Sequence, residues 1–520
     1  NYKAMKSNIS KLILCLCISF TAKSNQAQHW LGNTLSNYGG TNAVYTNPAS
    51  LGSNRYKVHV NAAGFGLNAV NDFVSWGAPF SVQDMIADNV PNQYKDSTGN
   101  VDFQSSWLKQ NINGKNKNLY LEMEVRGPAV MYRINKKAAV SFSTRSRIGF
   151  NVSNVSEELA KLAVNGIDTA GISSNTSVNI GDNLDNLQLR MSALSFQEYA
   201  FSFGSQFLEF KSMRIKFGAT AKFLVGNAYG YAQGDNIDMK ISGTDSIRIN
   251  DASFRYGYSD FDKFQDFTPG SLLPSFNGDY GFGWDAGAIL EYDPRAADGV
   301  TSQKSNYLFK VGLSILDRGN IRFKNNVTSY TVSSKAPFTF VSDSIAEAAF
   351  NNGPTSQEAR DFVDSLTDVH FNIRKRSEIN YKLPSMLSIQ FDYNVFKGFF
   401  IGALIYQDIR GINIEKISLH RLSQIVILPR FESKWIEASL PIVLAGDYKV
   451  LQVGGFVRLG PVFAGSDNLK AIVTGENFYG VNTYFGFAQG IGNNRVNKKE
   501  KKDKATNEAR TFANKNIVAL

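Results

Sequence analysis

The sequence is poor in cysteine, histidine and charge. Its 520 residues include two cysteines and four histidines, and charged residues make up 19% of the chain, against about 25% in typical soluble domains. No His-Glu-x-x-His, Gly-x-Ser-x-Gly or Gly-x-x-x-x-Gly-Lys-Ser/Thr pattern is present, so metalloprotease, hydrolase and nucleotide-binding functions have no support. The sequence therefore predicts that the protein is not an enzyme and carries no metal ion and no cofactor.

Long apolar runs are also missing. The longest, Leu12–Phe20, has nine residues and contains both cysteines, Cys15 and Cys17, whereas a membrane-spanning helix needs about 20 apolar residues. Lysines precede this run, and small and polar residues ending at Ala27 follow it, a pattern typical of a secretory signal peptide. We expect residues 1–27 to be removed; a buried N-terminal strand is the alternative.

The net charge of +10 is concentrated at the two ends of the chain. Residues 1–27 carry four lysines and no acids, and residues 493–520 carry eight basic and three acidic residues, which leaves about +1 for the rest. A nucleic-acid-binding face would require a basic body, so nucleic acid is not an expected partner. Residues 493–520 are predicted to form a Lys-rich periplasmic tail, either disordered or a docking peptide for an acidic partner.

Alternation of apolar and polar residues dominates the body of the chain, which is the period of a strand with two different faces. In residues 214–225 one face comprises Ile215, Phe217, Ala219, Ala221, Phe223 and Val225, and the other comprises Arg214, Lys216, Gly218, Thr220 and Lys222. Similar segments recur along the chain, among them residues 435–449 and 469–474. Many of them are ten residues or longer, as a tilted transmembrane strand requires, whereas soluble strands average about five or six. This length favours a membrane barrel over a soluble sandwich.

Short and long connections alternate along the predicted strands. Tight turns are expected at Asn135-Lys136, Lys211-Ser212 and Lys397-Gly398, and long segments at 68–118, 153–191, 235–279 and 324–382. Outer-membrane barrels have short periplasmic turns and longer extracellular loops. Short helices are expected after Ser156 and in residues 344–350 and 355–366, and the aromatic residues of 251–267 indicate either a folded external cap or a binding surface.

Three sequence stretches resemble known envelope barrels. Gly40–Gly52, which contains Asn47-Pro48-Ala49, resembles the start of the FadL-like superfamily of long-chain fatty-acid transporters. Arg458–Leu469 and Tyr479–Gly486 are similar to an uncharacterised family of Gram-negative envelope barrels, and the barrel partner of the type IX secretion system is a more distant relative. The resemblance implies an all-β fold, a transmembrane antiparallel barrel of about 14 strands, with a plug over residues 28–55 and the barrel over 56–492.

The resemblance also suggests candidate binding residues. It transfers a place in the plug to Asn47, Pro48 and Ala49. Independently, the alternation places six basic residues on strand faces that point away from lipid. A basic side chain on the lipid face at mid-depth would cost about 2–4 kcal/mol. The six residues are Arg145, Arg147, Arg214, Lys216, Lys222 and Lys310. They either pair with plug acids and backbone carbonyls or hold the head group of an anionic amphiphile.

Two functions follow as hypotheses. In the first, an outer-membrane barrel of a Gram-negative bacterium, surrounded by lipid, takes up small hydrophobic or amphipathic molecules by passive transport. In the second, a non-transporting barrel serves as a subunit or adaptor of a larger envelope complex, so that its partner is an envelope protein. An apolar path through the lumen would favour the first, and a lumen filled with salt-bridged side chains would favour the second.

Overall fold

The computed structural model describes residues 30–493 except 81–83, 85–88, 98, 103, 166, 169–176, 211, 244–245, 260–278, 295–306, 326, 342–369, 397, 411–416 and 471–478. Strands account for most of it. Among these residues, no helix combines the length and apolar character needed to cross a membrane.

Twenty-five strands, one α-helix and five 3₁₀-helices make up the described chain. The strands are β1 Tyr56–Asn71, β2 Val74–Trp76, β3 Leu108–Gln110, β4 Lys117–Arg133, β5 Ala138–Val155, β6 Ile167–Asp168, β7 Val178–Asn179, β8 Asn183–Phe210, β9 Met213–Ile241, β10 Ser246–Tyr258, β11 Tyr280–Tyr292, β12 Phe309–Phe323, β13 Thr328–Ser334, β14 Phe338–Val341, β15 Phe371–Lys375, β16 Ile379–Lys382, β17 Met386–Phe396, β18 Phe399–Asp408, β19 Gln424–Glu432, β20 Ile436–Ser439, β21 Ile442–Ala445, β22 Val450–Val453, β23 Gly455–Leu459, β24 Val462–Ser466 and β25 Gly480–Asn493. The helices are α1 Glu157–Asn165, η1 Leu31–Asn33, η2 Gly40–Tyr45, η3 Pro48–Ser53, η4 Asn92–Tyr94 and η5 Ser105–Trp107.

The main sheet closes on itself because β1 pairs with β4 on one side and with β25 on the other. All its pairings are antiparallel, and they define a barrel of 14 staves. Around the barrel the staves are β1, β4, β5, β8, β9, β11, β12, β16 with β17, β18, β19, β20 with β21, β22 with β23, β24 and β25. This closure satisfies the backbone within the protein, as hydrocarbon requires.

The barrel is apolar outside and charged inside, as the alternation predicts. On β9, Phe217 and Phe223 are exposed to the exterior while Lys216 and Lys222 are buried. On β17, the outward residues from Leu387 to Val395 form an apolar column nine residues long. Nine residues on strands tilted by about 40° span roughly 20–25 Å, the height of the apolar band of outer-membrane barrels.

Two staves continue far beyond this band. β8 and β9 have 28 and 29 residues, so their paired far ends leave the barrel; there β9 also pairs with β10, which in turn pairs with β13 and β14. Ile237, Met239, Ile249 and Val332 bury the face of this cap sheet, and α1 packs against it. Long strands therefore replace much of the loop structure expected at 153–191 and 235–279.

Residues 30–55, here called the inner segment, lie inside the barrel. Trp30, Leu31, Ala49 and Leu51 are each exposed by 2% or less. Trp30 packs against Phe463 and Tyr484 of the wall. The segment leads directly into β1.

The expected strand over 435–449 is divided at Pro441, which lacks an N–H for the ladder; β20 ends at Ser439 and β21 begins at Ile442.

The helix expected after Ser156 is α1, and the Ser156 hydroxyl accepts a hydrogen bond from the Gln188 backbone N–H at 2.9 Å. The predicted signal peptide, most of the strand expected at 469–474, the helices at 344–350 and 355–366, the aromatic residues 260–267 and the tail after Asn493 lie outside the described residues.

Candidate functional site: the inner segment and the ion-paired lumen

Asn47 links the inner segment to the barrel wall. Its Nδ2 donates to the carbonyl oxygens of Ala288 on β11 and Leu313 on β12, at 3.2 and 3.3 Å. Its Oδ1 accepts a hydrogen bond from the Ala49 N–H at 3.0 Å and so caps η3, which begins with Pro48. Because asparagine supplies donors and an acceptor, this one side chain starts the short helix and docks it on two strands.

A row of glycines receives the inner segment. Gly204 on β8, Gly218 on β9 and Gly287 on β11 are aligned across three paired strands. A Cβ on Gly218 would lie 2.4 Å from the Ala49 nitrogen, and one on Gly287 would lie 2.1 Å from Asn47 Oδ1. The backbone of the segment therefore approaches the backbone of the wall as closely as the absence of side chains allows.

On the long-loop side of the inner segment, four basic and four acidic side chains form a buried network, here called the upper cluster. Its members are Arg145, Arg147, Lys222, Arg421, Glu122, Glu198, Asp285 and Asp317. Each is exposed by 5% or less. Cation–π contacts of Arg145 and Arg126 with the Tyr45 ring join this network to the inner segment.

Asp317 is the centre of the upper cluster. Its carboxylate lies 2.6 Å from Lys222 Nζ, 2.9 Å from Arg147 Nη1, 3.1 Å from Arg421 Nη1 and 3.4 Å from Arg145 Nη2. The residue has a φ of 54° and sits at the bulge where β12 loses register with β11. A bulge redirects a side chain, and here the irregular position holds the carboxylate that four cations share.

The upper cluster is electrically balanced, with one acid for each base. Arg126 and Glu124 add a further direct pair beside it. Leaving one partner of a buried ion pair without the other typically costs about 3–5 kcal/mol. The upper cluster therefore has no surplus positive charge among the described residues. Its acids come from the barrel wall, since residues 28–55 contain no Asp or Glu.

A second group of pairs, the lower cluster, lies nearer the short-turn end. Glu291 pairs with Lys216 and lies 3.5 Å from Arg214 Nε, and it accepts a hydrogen bond from Ser53 Oγ at 2.8 Å. Ser53 closes η3. The end of the inner segment is thus tied to β9 and β11 through one carboxylate.

The lower cluster continues at Asp392. Arg430 binds this carboxylate through both terminal nitrogens, at 2.6 and 2.7 Å, and Tyr307 also donates to it. Lys310 Nζ lies 3.5 Å away and donates to the Leu35 carbonyl of the inner segment at 3.5 Å. The two clusters together fix the inner segment from both sides.

Arg421 reaches the upper cluster from a loop. Residues 417–423, here called the strap, connect β18 to β19 and enter the lumen, where Leu419 lies over Gly149 and the His420 N–H donates to Asn151 Oδ1 at 3.2 Å. Arg421 Nη2 then meets Glu122 Oε1 at 2.6 Å. The sequence offered no signal for this residue, because a loop has no periodicity from which its direction could be inferred.

The predicted site residues form two groups in the structure. Asn47, Pro48 and Ala49 lie together on the glycine row. Arg145, Arg147 and Lys222 meet in the upper cluster, whereas Arg214, Lys216 and Lys310 belong to the lower cluster. All six basic residues point inward, and a role for any of these nine residues in holding a ligand stays a prediction.

An apolar groove of about 500 Å³ lies on the outer face of the wall, directly behind the glycine row. Its rim includes Phe203, Phe207, Phe217 and Leu313, and its floor is built from small residues of β9 and β11. Among the residues that the structure describes, no group of His, Cys, Asp and Glu could hold a metal ion.

The closed antiparallel sheet of 14 staves and its apolar outer band define an integral outer-membrane type of β-barrel. The chain belongs to the family of unknown function DUF5723, whose model matches residues 48–467. No curated protein matches the sequence.

Solved structures that match most of this chain include hydrocarbon channels and a FadL homologue. A deletion mutant of the monoaromatic hydrocarbon channel TodX is 8% identical, with a TM-score of 0.41 over 87% of this chain and 95% of that one. The toluene transporter TbuX of Ralstonia pickettii is 10% identical, with a TM-score of 0.37 over 87% of this chain and 94% of that one. A FadL homologue of Pseudomonas aeruginosa is also 10% identical, with a TM-score of 0.27 over 90% of this chain and 96% of that one. Similarity at this level indicates neither a superfamily nor a substrate for this chain.

Proposed function

We propose that this protein takes up small apolar or amphipathic molecules through a plugged outer-membrane barrel, with residues 28–55 as the plug. The observation that supports the proposal is the thin wall behind the apolar groove. Ala219 and Ala286 face the lipid side there, and Gly218 and Gly287 face the plug. Little more than the strand backbone separates the groove from the plug.

The proposed route leaves the barrel sideways at the glycine row. Movement along the barrel axis would have to separate several pairs of the upper and lower clusters, at about 3–5 kcal/mol for each charge left alone. Displacing the plug from the glycine row breaks hydrogen bonds between uncharged groups: those of Asn47 to the wall at 3.2 and 3.3 Å, and those that the Thr46 carbonyl accepts from Ser314 and Gln390 at 2.7 and 3.1 Å. A hydrogen bond of this kind contributes about 0.5–1.5 kcal/mol. The side exit is therefore the less costly path.

Passive uptake is driven by the transfer of apolar surface out of water. A ligand that buries about 300 Å² of apolar area gains roughly 7 kcal/mol at 25 cal/mol per Å². The six basic residues predicted as site residues, all of which belong to the two clusters, hold the lumen closed while they are paired with wall acids. In this proposal an anionic head group binds them by replacing a wall carboxylate, which keeps the buried charge balanced.

A reversible crosslink between plug and wall tests the proposal. Ser314 Oγ donates to the backbone carbonyl of Thr46 at 2.7 Å, so the two residues are adjacent, and Thr46→Cys with Ser314→Cys brings two thiols near one another. Both native cysteines precede Ala27, and a mature chain that starts at Gln28, as N-terminal sequencing would establish, has none. Oxidised protein in liposomes should lose uptake of toluene and of a long-chain fatty acid, and reduction should restore it.

The matched control is the single variant Ser314→Cys, whose uptake should not depend on the redox state. Equal uptake by the oxidised and reduced double variant, with the crosslink verified by mass analysis, would remove the plug from the transport mechanism. Lipid extraction of purified protein adds a second readout, since a transporter of this kind should retain an amphiphile.

A second candidate function is favoured by the filled lumen. A balanced upper cluster, a second ion-paired cluster and a segment buried between them are what a barrel with a purely structural lumen would need, and such a barrel could serve as an adaptor of an envelope complex. The adaptor function is supported if no bound amphiphile is found, neither form of the crosslinked variant transports, and one stable envelope protein co-purifies.

A further inference from the structure

Lysines are concentrated at the short-turn end of the barrel. Lys57 at the start of β1, Lys136 and Lys137 in the β4–β5 turn, and Lys434 in the β19–β20 turn are exposed. We call these four residues the basic rim. They belong to three separate places around the barrel.

This end carries little negative charge to balance the rim. Among the described residues, the exposed acid at these turns is Glu209, whose carboxylate lies 3.9 Å from Lys137 Nζ. The nearby acids Glu432 and Glu437 are buried in the lumen. Apart from Glu209, the exposed charges of the described residues at this end are therefore positive.

Large apolar side chains accompany the lysines. Phe207, Phe210, Phe396 and Trp435 lie at the same turns and are 58–70% exposed, and Lys434 Nζ lies 5.3 Å from the Trp435 ring centre. Exposed aromatic residues at the end of an apolar band mark the membrane–water interface. Lysine side chains at that depth extend their ammonium groups toward the head groups.

From this arrangement we infer that the basic rim binds the phosphate groups of anionic phospholipids in the leaflet that surrounds the short-turn end. Each lysine near a membrane surface attracts anionic lipid, and salt weakens the attraction. The inference uses the membrane location of the barrel and is independent of whether the barrel transports anything.

Lipid retention in reconstituted full-length protein tests the inference. The protein is placed in vesicles of phosphatidylcholine containing phosphatidylglycerol, extracted with mild detergent at low salt, and its retained lipids are quantified by mass spectrometry. We expect severalfold enrichment of phosphatidylglycerol over the vesicle composition, and loss of most of that enrichment in 0.5 M salt. The variant K57Q/K136Q/K137Q/K434Q should retain the two lipids near their vesicle ratio.

The matched control is K95Q/K115Q/K240Q/K324Q, which removes four lysines from the long-loop end and should leave the enrichment unchanged. Retained β-sheet circular dichroism and heat-dependent gel mobility show that each variant is folded. No enrichment by the wild type, or equal enrichment by the rim variant, overturns the inference. If the two proteins retain the same lipids and differ only in binding an acidic periplasmic protein, the rim binds a protein partner instead, and the inference is overturned as well.

Discussion

Asp317 holds together more of the lumen than any sequence pattern around it suggests, because four cationic groups approach its two oxygens within 3.4 Å. Without this buried carboxylate the four cationic groups would repel one another, so its presence stabilises the fold. At the scale of single residues, the lumen is therefore expected to depend on a few acids.

Asp317→Asn preserves the shape of the side chain and removes its charge. We expect a loss of about 3–5 kcal/mol in the free energy of unfolding, since the variant leaves buried cations without their acid. Urea or thermal unfolding of detergent-solubilised protein measures the change. Glu378→Gln is the control, because Glu378 and its partner Arg322 are both half exposed, and such a pair contributes about 0–1 kcal/mol. Equal losses in the two variants would refute the central role of Asp317.

Gly218→Ala tests the contact between the wall and the plug. Its Cβ would lie 2.4 Å from the Ala49 nitrogen, whereas a Cβ on Gly283 of β11 would meet its nearest neighbours at 3.5 Å. We therefore expect Gly218→Ala to displace the plug, lower the melting temperature by several degrees and raise the uptake of an apolar probe. Gly283→Ala should change neither quantity; a silent Gly218→Ala would mean that the plug has no fixed seat on the wall.

At the scale of elements, the strap is a loop segment that enters the lumen from the long-loop side. Arg421 joins it to Glu122 on β4 and to Asp317 on β12. One side chain of a loop thus connects two distant staves of the barrel.

Arg421→Met should release the strap, because methionine fills some of the volume but binds neither acid. We expect the variant to conduct ions across a planar bilayer, where the wild type should show no steady conductance. Arg322→Met, which removes an exposed arginine, is the control and should stay closed. Absence of conductance in a folded Arg421→Met protein would show that the strap is not a gate.

Helix α1 provides a pH-dependent contact outside the membrane. Burial acts to raise the pKa of Glu157, but Lys117 Nζ at 2.7 Å and the N–H groups of Asn113 and Gly114 outweigh it, so this pKa lies below its ordinary value of 4.5. A depressed folded-state pKa gives stability that is complete above the unfolded pKa and is lost as the pH falls through the folded value.

Hydrogen exchange of residues 111–117, corrected for intrinsic rates, should therefore show protection at neutral pH that disappears below about pH 4. Glu157→Gln should lower the protection at neutral pH and make it independent of pH. An unchanged acid transition in Glu157→Gln would assign that transition to another group.

The sequence predicted the parts of the molecule that follow a period. Alternation placed Phe217 outside and Lys222 inside, and the turn residues located the hairpins at 135–136 and 211–212. It could not predict that Lys222 shares Asp317 with three arginines, because a bulge breaks the period of β12 there. Nor could it find the seat of the plug, since a glycine such as Gly218 has no side chain to assign to a face.

At the scale of the whole molecule, closure of the barrel rests on its last strand. β25 pairs with β24 on one side and, over Gly480–Asn493, with β1 on the other. Its loss would leave two unpaired edges at once, and unpaired strand edges cannot lie in hydrocarbon. The first and last strands of the barrel, β1 and β25, are thus joined by one ladder of hydrogen bonds.

A pair of truncations tests this closure. A chain that stops at residue 479 should fail to enter vesicles, lose its heat-dependent gel mobility and become sensitive to protease, because β1 and β24 then lack their partner. A chain that stops at residue 496 keeps every described pairing of β25 and should insert as the full chain does. Insertion of the shorter chain would mean that β1 and β24 can seal the barrel without β25, and failure of the longer one would give the residues beyond 496 a part in assembly that strand pairing does not require.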